Sequence, residues 1–572
     1  MHEVTSATNA TERDTGSATR LKEYLYAFLF LIITAALYGA LFNKDISLSH
    51  SIGYNLYGAE RILAGEIPYR DFHTLYPPAV VYTNSWIFEL LGVSLYNALL
   101  CVFLFKTLTA FVIYLSGRQF MTQGWAFFAA ASSLLWLRPN GPFKAVPMHY
   151  GALFLALALF LTLKYLRENR NVYLILIGLS LGLLALFKHN IGAYALIGLL
   201  AIILFDRAPW QFPLSQVKRN YRGALLIIAG LLLAVLPVVI FIAAKGAFTP
   251  MVRTLLFGPG DFLLSRLAGI PSPGGIILLC LFIMIYVFVD RWMEDNIPRI
   301  RNLINPLFVL VIMFITRSGQ SLFDSMIFYT PVLVILAGLW FWLRDSYTIF
   351  FDRRVLLTVL VITVAAFMES FPRFAREQAI GAMPFVVLLL SYLLYVFVLK
   401  QRKSQPGIKF DSPLIVWLII LPLAMSVRLF LETYADKQTI LRSNTELTIE
   451  RGRGVYFPSD KAAEIVSVVN YIQQQVPANG YLFPQSYSGS SYLFLADRNN
   501  PSGAQFWGGV GVSDEERSET LRAIEEKQVA LIITSRKDIE AEKYEPMRRL
   551  INENFEQSRE FGDVIILERK RK

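Results

Sequence analysis

GALLIIAGLLLAVLPVVIFIAA, residues 223–244, is an apolar run without a single charge. As an α-helix it would extend about 33 Å, enough to cross the roughly 30 Å hydrocarbon layer of a bilayer. Similar blocks fall at approximately 24–43, 95–116, 124–138, 148–166, 172–188, 190–205, 274–290, 306–317, 325–343, 355–369, 381–399 and 413–431, making thirteen in all. Short polar, basic segments separate them. The chain is 55% apolar and only 17% charged, and a soluble core is not built from blocks of this kind. The expected fold is therefore a polytopic α-helical membrane protein with about thirteen transmembrane helices and a small soluble α/β domain at its C-terminus.

Charge orients the spans. A fourteenth block, 79–92, is short and carries Asn84 and Glu89, so it reads as a span or as a helix at the interface. If it does not cross, the basic clusters around Arg20/Lys22, Arg118, Arg167/Arg170, Lys218/Arg219, Arg299/Arg301, Arg353/Arg354 and Arg402/Lys403 all share one side. Positive residues are retained in the cytoplasm, so that side is cytoplasmic and 79–92 is expected to be juxtamembrane. The formal net charge of +11 mostly reflects the same bias. The first block, from about Tyr24, is too long for a cleaved signal core and reads as a signal anchor. Residues 1–23 are then a disordered cytoplasmic tail, and 24–431 the membrane domain with an external loop at 44–94. Residues 432–572 form the extracytoplasmic domain, with helices expected over 460–475, 513–526 and 544–554 and strands over 480–484, 529–534 and 564–567. The protein is placed in the inner (plasma) membrane with its N-terminus inside. Cys101 and Cys280 sit in apolar blocks and read as small buried hydrophobes.

Ionisable residues are costly beside hydrocarbon, so those at the outer helix ends are the functional candidates. They concentrate in the first external loop, where Tyr54, Tyr57 and Arg61 recur at helical spacing and suggest a helix lying at the headgroups. Lys106 lies near the middle of a span, where a charge must pair or line a wet cavity. It would answer Asp45, Glu60 or Asp71. There is no Walker loop, no His-Glu-x-x-His, no cysteine cluster and no nucleic-acid motif.

The stretch GYNLYGAERILAGEIPYRDFHTLYPP (53–78), then FELLGVSLYNALL (88–100), resembles the first external loop of the GT-C superfamily of membrane glycosyltransferases. Within it the chain is similar to the bacterial protein mannosyltransferase and lipid A aminoarabinose transferase branch. Phe187-Lys188-His189-Asn190-Ile191-Gly192 and Leu495-Ala496-Asp497-Arg498-Asn499-Asn500-Pro501 extend the likeness. The resemblance implies an inverting transferase that takes a sugar from a polyprenyl-phosphate donor outside the membrane. Its acceptor would be a lipid, a glycan or a protein, with no nucleic acid involved. A divalent cation is left open as a cofactor, because some members of the superfamily use one, but no dedicated carboxylate set is visible.

One departure bears on mechanism. The branch carries an acidic pair before the Gly-Tyr, and those positions are here Ser51 and Ile52. Inverting transfer needs a carboxylate to take the acceptor proton. The expected replacements are Asp45 and Asp71, followed by Glu60 and Glu66. Against this, Asp45 also reads as a solvated helix end beside Lys44, and Asp71 as a turn cap paired with Arg70. His50 and His73 are weaker proton relays. For the donor phosphate Lys188 is the leading cation, with His189 next to it, and snorkelling is its bland alternative. Arg138, Lys144, Arg253, Arg266 and Lys106 are further substrate-binding candidates, as are Tyr69 and Arg70. Asp497 and Arg498 read as a local ion pair or an acceptor contact. Two other functions compete: a lipid-linked-glycan transporter, which should show inverted repeats, and a degenerate carrier-binding protein.

Overall fold

The computed structural model describes residues 24–44, 46, 48, 50–135, 143–205, 220–257, 322–343, 352–370, 376–403, 444–486, 489–504, 514–542 and 544–570. The blocks at 274–290, 306–317 and 413–431, and the candidates Asp45, Arg138 and Arg266, lie outside these residues. The described helices are α1 (Tyr24–Gly39), α2 (His50–Leu63), α3 (Ala79–Leu91), α4 (Leu95–Gly117), α5 (Gln123–Leu135), α6 (Pro147–Glu168), α7 (Asn171–Phe187), α8 (His189–Leu204), α9 (Tyr221–Ala244), α10 (Phe248–Val252), α11 (Leu322–Leu343), α12 (Arg353–Phe367) and α13 (Arg376–Lys403). Among them α4, α6, α9 and the Gly381–Leu399 part of α13 are long and apolar enough to cross a membrane. α1, α7, α8 and the Thr330–Leu343 part of α11 are apolar but shorter. The chain is a mostly helical, multi-pass membrane protein. α3, with 13 residues, spans only about 20 Å, less than the hydrocarbon thickness.

Local chemistry sets the helix ends. Ser94 caps α4 by accepting from the Asn97 N–H at 3.1 Å, and Pro147 opens α6 behind extended Val146, where a missing N–H costs nothing. The packing runs α9 on α7, α7 on α6, α6 on α4, and α4 on α5 and α13, with α11 and α12 against α13. α7 and α9 touch backbone to backbone: a Cβ at Gly178 would lie 1.9 Å from the Ile227 carbonyl oxygen, and one at Gly230 2.0 Å from that of Ile175. Close approach through small residues is how helices gain van der Waals contact where lipid removes the hydrophobic drive. The far side of α9 leaves Leu225, Leu232, Leu233, Leu236 and Ile240 exposed, a surface suited to acyl chains.

α7 and α8 form a tight hairpin joined by Lys188 alone. With 17 and 16 residues each rises only about 25 Å, short of a full crossing. The turn is accordingly set below the end of its longer neighbour. Phe187 stacks on Tyr150 at 5.5 Å between centroids and meets Phe105, half-way along α4, at 6.2 Å. Gly192 lets α8 fold back on α7, since a Cβ there would come within 2.9 Å of the Ala185 Cβ.

Beyond the membrane helices, β1 (Asn444–Glu446) pairs antiparallel with β2 (Tyr456–Pro458). α14 (Ser459–Gln475), β3 (Leu482–Pro484), α15 (Gly489–Ala496), α16 (Asp514–Glu526), β4 (Leu531–Thr534), α17 (Arg536–Ala541), α18 (Glu545–Asn554), β5 (Phe555–Phe561) and β6 (Val564–Arg569) follow. A four-stranded sheet has the order β3-β4-β6-β5, with β3 and β4 parallel and the rest antiparallel. Leu531, Ile533, Val564 and Ile566 face α14 and α15, while Ile532, Ile565 and Leu567 face α16 and α18. Burial on both faces makes these strands continuous apolar runs. β5 is not anticipated by the sequence, because it is an edge strand carrying Glu556, Arg559 and Glu560 outward.

α2 departs from the headgroup-level expectation. Tyr54 and Tyr57 are buried, and their hydroxyls bond to protein instead of anchoring at an interface: Tyr54 donates to the His73 carbonyl at 3.0 Å and accepts from the Leu75 N–H at 2.6 Å, while Tyr57 accepts from the Asn500 N–H at 2.8 Å. The helix is clamped between the rest of its own loop and α15.

Candidate active site

The first-loop motif mainly joins the two ends of the chain. Gly53 lies directly on the backbone of Ser490 and Ser491. Arg61 donates to the carbonyls of Ser502 and Asp71, both at 3.0 Å, and to Glu66 at 2.6 Å. The His73 N–H reaches the Gly503 carbonyl at 3.0 Å. Glu60 takes two bonds from Arg451, at 2.8 and 2.5 Å, and Arg451 also binds Asp497 and the Phe494 carbonyl. Burial raises the Glu60 pKa above the usual carboxylate value, opposed by Arg451. Asp497 therefore pairs with Arg451 and not with its neighbour Arg498, whose guanidinium donates to the carbonyls of Gln473, Val476 and Ala496. Those are carbonyls at the ends of α14 and α15, orphaned where the helices stop, and a cation beside them is favoured.

Arg451→Met should strip this junction of its cation. Glu60 and Asp497 would be left facing each other across a partly buried gap, at a cost of about 2 kcal/mol for the lost charge-assisted bonds. Hydrogen exchange of 489–503 is expected to rise several-fold, with no change for Arg548→Met, whose ion pair with Glu545 is exposed. Equal protection in the two variants would show that the cluster holds nothing.

Asp71 is the cap of its own turn. Its two oxygens accept from Arg70 at 2.8 and 2.7 Å, and one also accepts the Ile67 N–H at 2.8 Å. The Arg70 guanidinium lowers its pKa, opposed by burial, with the Ile67 N–H adding a smaller lowering effect. Arg70 also donates to the Lys245 carbonyl at 3.1 Å, and the Tyr69 hydroxyl to that of Tyr76 at 2.7 Å, with Tyr69 at a positive φ of 68°. Tyr69, Arg70 and Asp71 thus fasten the loop to the corner after α9, where Tyr69 packs with Ile242, Ala247 and Met251. Arg253 is exposed in the π turn that continues α10.

The remaining candidates converge elsewhere. The Lys188 ammonium lies 5.0 Å above the Tyr76 ring and 3.7 Å from the Glu369 carboxylate. Glu369 stands in a 3-10 turn, Met368–Ser370, just beyond α12. Its other oxygen, the Ser370 hydroxyl and His189 Nδ1 are buried without a hydrogen-bond partner among the described residues. Met148 approaches the same carboxylate across Gly381. Next to Met148, His149 contacts the Lys144 carbonyl at 2.8 Å, and Lys106, Lys144 and His149 are electrostatic neighbours. Neither of the described carboxylates expected to answer Lys106 does so, since Glu60 is held by Arg451 and Asp71 by Arg70. The Lys106 ammonium instead rests 5.3 Å over the Phe143 ring. Asn55 on α2 donates to the Ala145 carbonyl at 2.7 Å, which fastens the first loop to the backbone beside this basic cluster. Lys144 is a cation candidate from its loop, but His149 and Glu369 escape a sequence reading because each becomes notable only through neighbours remote in the chain. Among the described residues no three His, Cys, Asp or Glu side chains gather as a metal site.

Residues 76–241 match the family model for dolichyl-phosphate-mannose-protein mannosyltransferase. No curated protein matches the chain. Among solved structures, the apo oligosaccharyltransferase of Archaeoglobus fulgidus is similar at 12% identity and a TM-score of 0.48, over 91% of this chain and 71% of that one. ArnT of Cupriavidus metallidurans bound to undecaprenyl phosphate is similar at 11% identity and 0.45, over 94% and 97%. The archaeal oligosaccharyltransferase AglB in complex with an inhibitory peptide and a dolichol-phosphate follows at 14% and 0.44, over 92% and 71%. With these scores below 0.5, the weight rests on the family match, which contains Lys106, Lys144, His149, Lys188 and His189. Over residues 76–241, from within the first loop into α9, this chain is similar to the dolichyl-phosphate-mannose-protein mannosyltransferase family.

Proposed function

We propose that the protein is an inverting glycosyltransferase that takes a sugar from a polyprenyl-phosphate carrier at the outer face of the membrane and passes it to a lipid, glycan or protein acceptor there. The observation that carries this reading is the family-matched hairpin turn Lys188–His189, whose largely buried ammonium lies under Tyr76 of the first loop and beside Glu369. A phosphate leaving an anomeric carbon needs such cations, which are worth far more in a dry recess than in water. The apolar flank of α9 would receive the carrier's prenyl chain. Thirteen spans, a cytoplasmic N-terminus and an extracytoplasmic C-terminal α/β domain complete the proposal.

Purified protein in lipid nanodiscs should transfer radiolabelled sugar from one of a panel of undecaprenyl-phosphate sugars to acceptors in a cell-envelope extract. Binding of the carrier with no transfer from any panel member would overturn it. The second reading, a degenerate carrier-binding protein, would then stand on Ser51 and Ile52 in the place of the usual acidic pair.

A further inference from the structure

We propose that Glu369 is the general base of this transferase, in place of the acidic pair that the first loop lacks; the inference rests on the transferase reading above. The described carboxylates of the 53–78 motif are each already held by an arginine: Glu60 by Arg451, Glu66 by Arg61 and Asp71 by Arg70. Glu369 differs in three respects. Its side chain is only 5% exposed, it is the carboxylate beside Lys188, and the separation of 3.7 Å exceeds a charge-assisted hydrogen bond. One oxygen faces the ammonium. The other accepts nothing, although a buried carboxylate oxygen is ordinarily satisfied.

Unpaired polar atoms at His189 and Ser370 accompany it, so three groups on two separate helix ends await a hydroxyl-bearing ligand. With the carrier phosphate on the lysine side, an acceptor hydroxyl would meet the free Glu369 oxygen. The acceptor proton passes to that carboxylate while an oxygen lone pair forms the new bond to the anomeric carbon. The bond from that carbon to the phosphate oxygen breaks, its electron pair stays on the phosphate, and the configuration inverts. Burial pushes the Glu369 carboxyl up, as suits a proton acceptor, while Lys188 opposes that shift by favouring the carboxylate and then balances the charge arriving on the departing phosphate.

The test uses full-length protein in nanodiscs and compares wild type, Glu369→Gln, Glu369→Asp and Asp45→Asn. Three quantities are read: binding of undecaprenyl phosphate, release of sugar from the undecaprenyl-phosphate panel to water, and its transfer to azide. Water must lose a proton to react and azide need not. For Glu369→Gln, release to water should fall by about 10²–10⁴-fold, while carrier binding and the formation of the inverted glycosyl azide persist; Glu369→Asp should recover part of the loss. A full rate to water in Glu369→Gln, or the base-specific loss appearing in Asp45→Asn instead, overturns the assignment and leaves the transferase intact. Parallel loss of binding, water and azide reactions in Glu369→Gln marks a structural ion pair and also overturns it. A wild type that transfers neither to these nucleophiles nor to acceptors in the cell-envelope extract removes the transferase reading itself.

Discussion

Lys188→Met is expected to cost carrier affinity about 10–100-fold, the worth of one charge-assisted contact, and turnover about 10²–10³-fold. It should also destabilise the protein. Lys188 and Glu369 are 17% and 5% exposed, and removing one member of a buried pair strands the other charge at a cost of about 3–5 kcal/mol. The two consequences separate in the double variant Lys188→Met/Glu369→Gln. With no charge left uncompensated, most of the stability should return, whereas carrier binding should not. Thermal unfolding in nanodiscs and binding of undecaprenyl phosphate measure the two. Recovery of binding together with stability would mean that Lys188 serves only to neutralise Glu369 and does not touch the phosphate.

Gly53→Val should part the first loop from the C-terminal region. A Cβ at Gly53 would lie 2.2 Å from the Ser491 nitrogen and 2.3 Å from the Ser490 carbonyl carbon. Both are backbone atoms of α15, so no rotamer change can relieve the overlap. Overpacking commonly costs about 1–3 kcal/mol, and a clash against backbone belongs at the upper end. Because α2 also holds Asn500 through Tyr57 and Ala145 through Asn55, its displacement should loosen both the C-terminal cover and the basic cluster. Protease cleavage within 489–504 should accelerate, and transfer should fall together with carrier binding, since Tyr76 of the displaced loop lies over Lys188. Gly124→Val is the control, since nothing lies within 4 Å of its Cβ position and its backbone is helical. Equal cleavage of the two variants would remove Gly53 from any role at this junction.

Much of the membrane helix pattern is legible in the chain because span and bilayer impose the same physics on every residue. Block 95–116 is observed as Leu95–Gly117, 148–166 as Pro147–Glu168, and 223–244 as Tyr221–Ala244. Periodicity likewise anticipates α14, β4 and β6, whose apolar residues recur locally. The site is legible only in part. Lys188 could be chosen from sequence since it interrupts an apolar hairpin, and a cation in that position must either snorkel or bind.

What only the tertiary structure decided is which charge answers which. Asp71 in the string Tyr-Arg-Asp-Phe reads both as a catalytic carboxylate and as a turn cap paired with Arg70, and the fold decides for the second, its oxygens consumed by Arg70 and its own turn. Asp497 passes over adjacent Arg498 for Arg451, and Lys188 meets a glutamate 181 positions away. Hydrophobic periodicity is a property of neighbours along the chain, so the sequence by itself determined the membrane-embedded helical architecture of this protein. Ion pairing depends on distances of a few ångströms between segments brought together by packing, and those distances arise only when the helices are assembled.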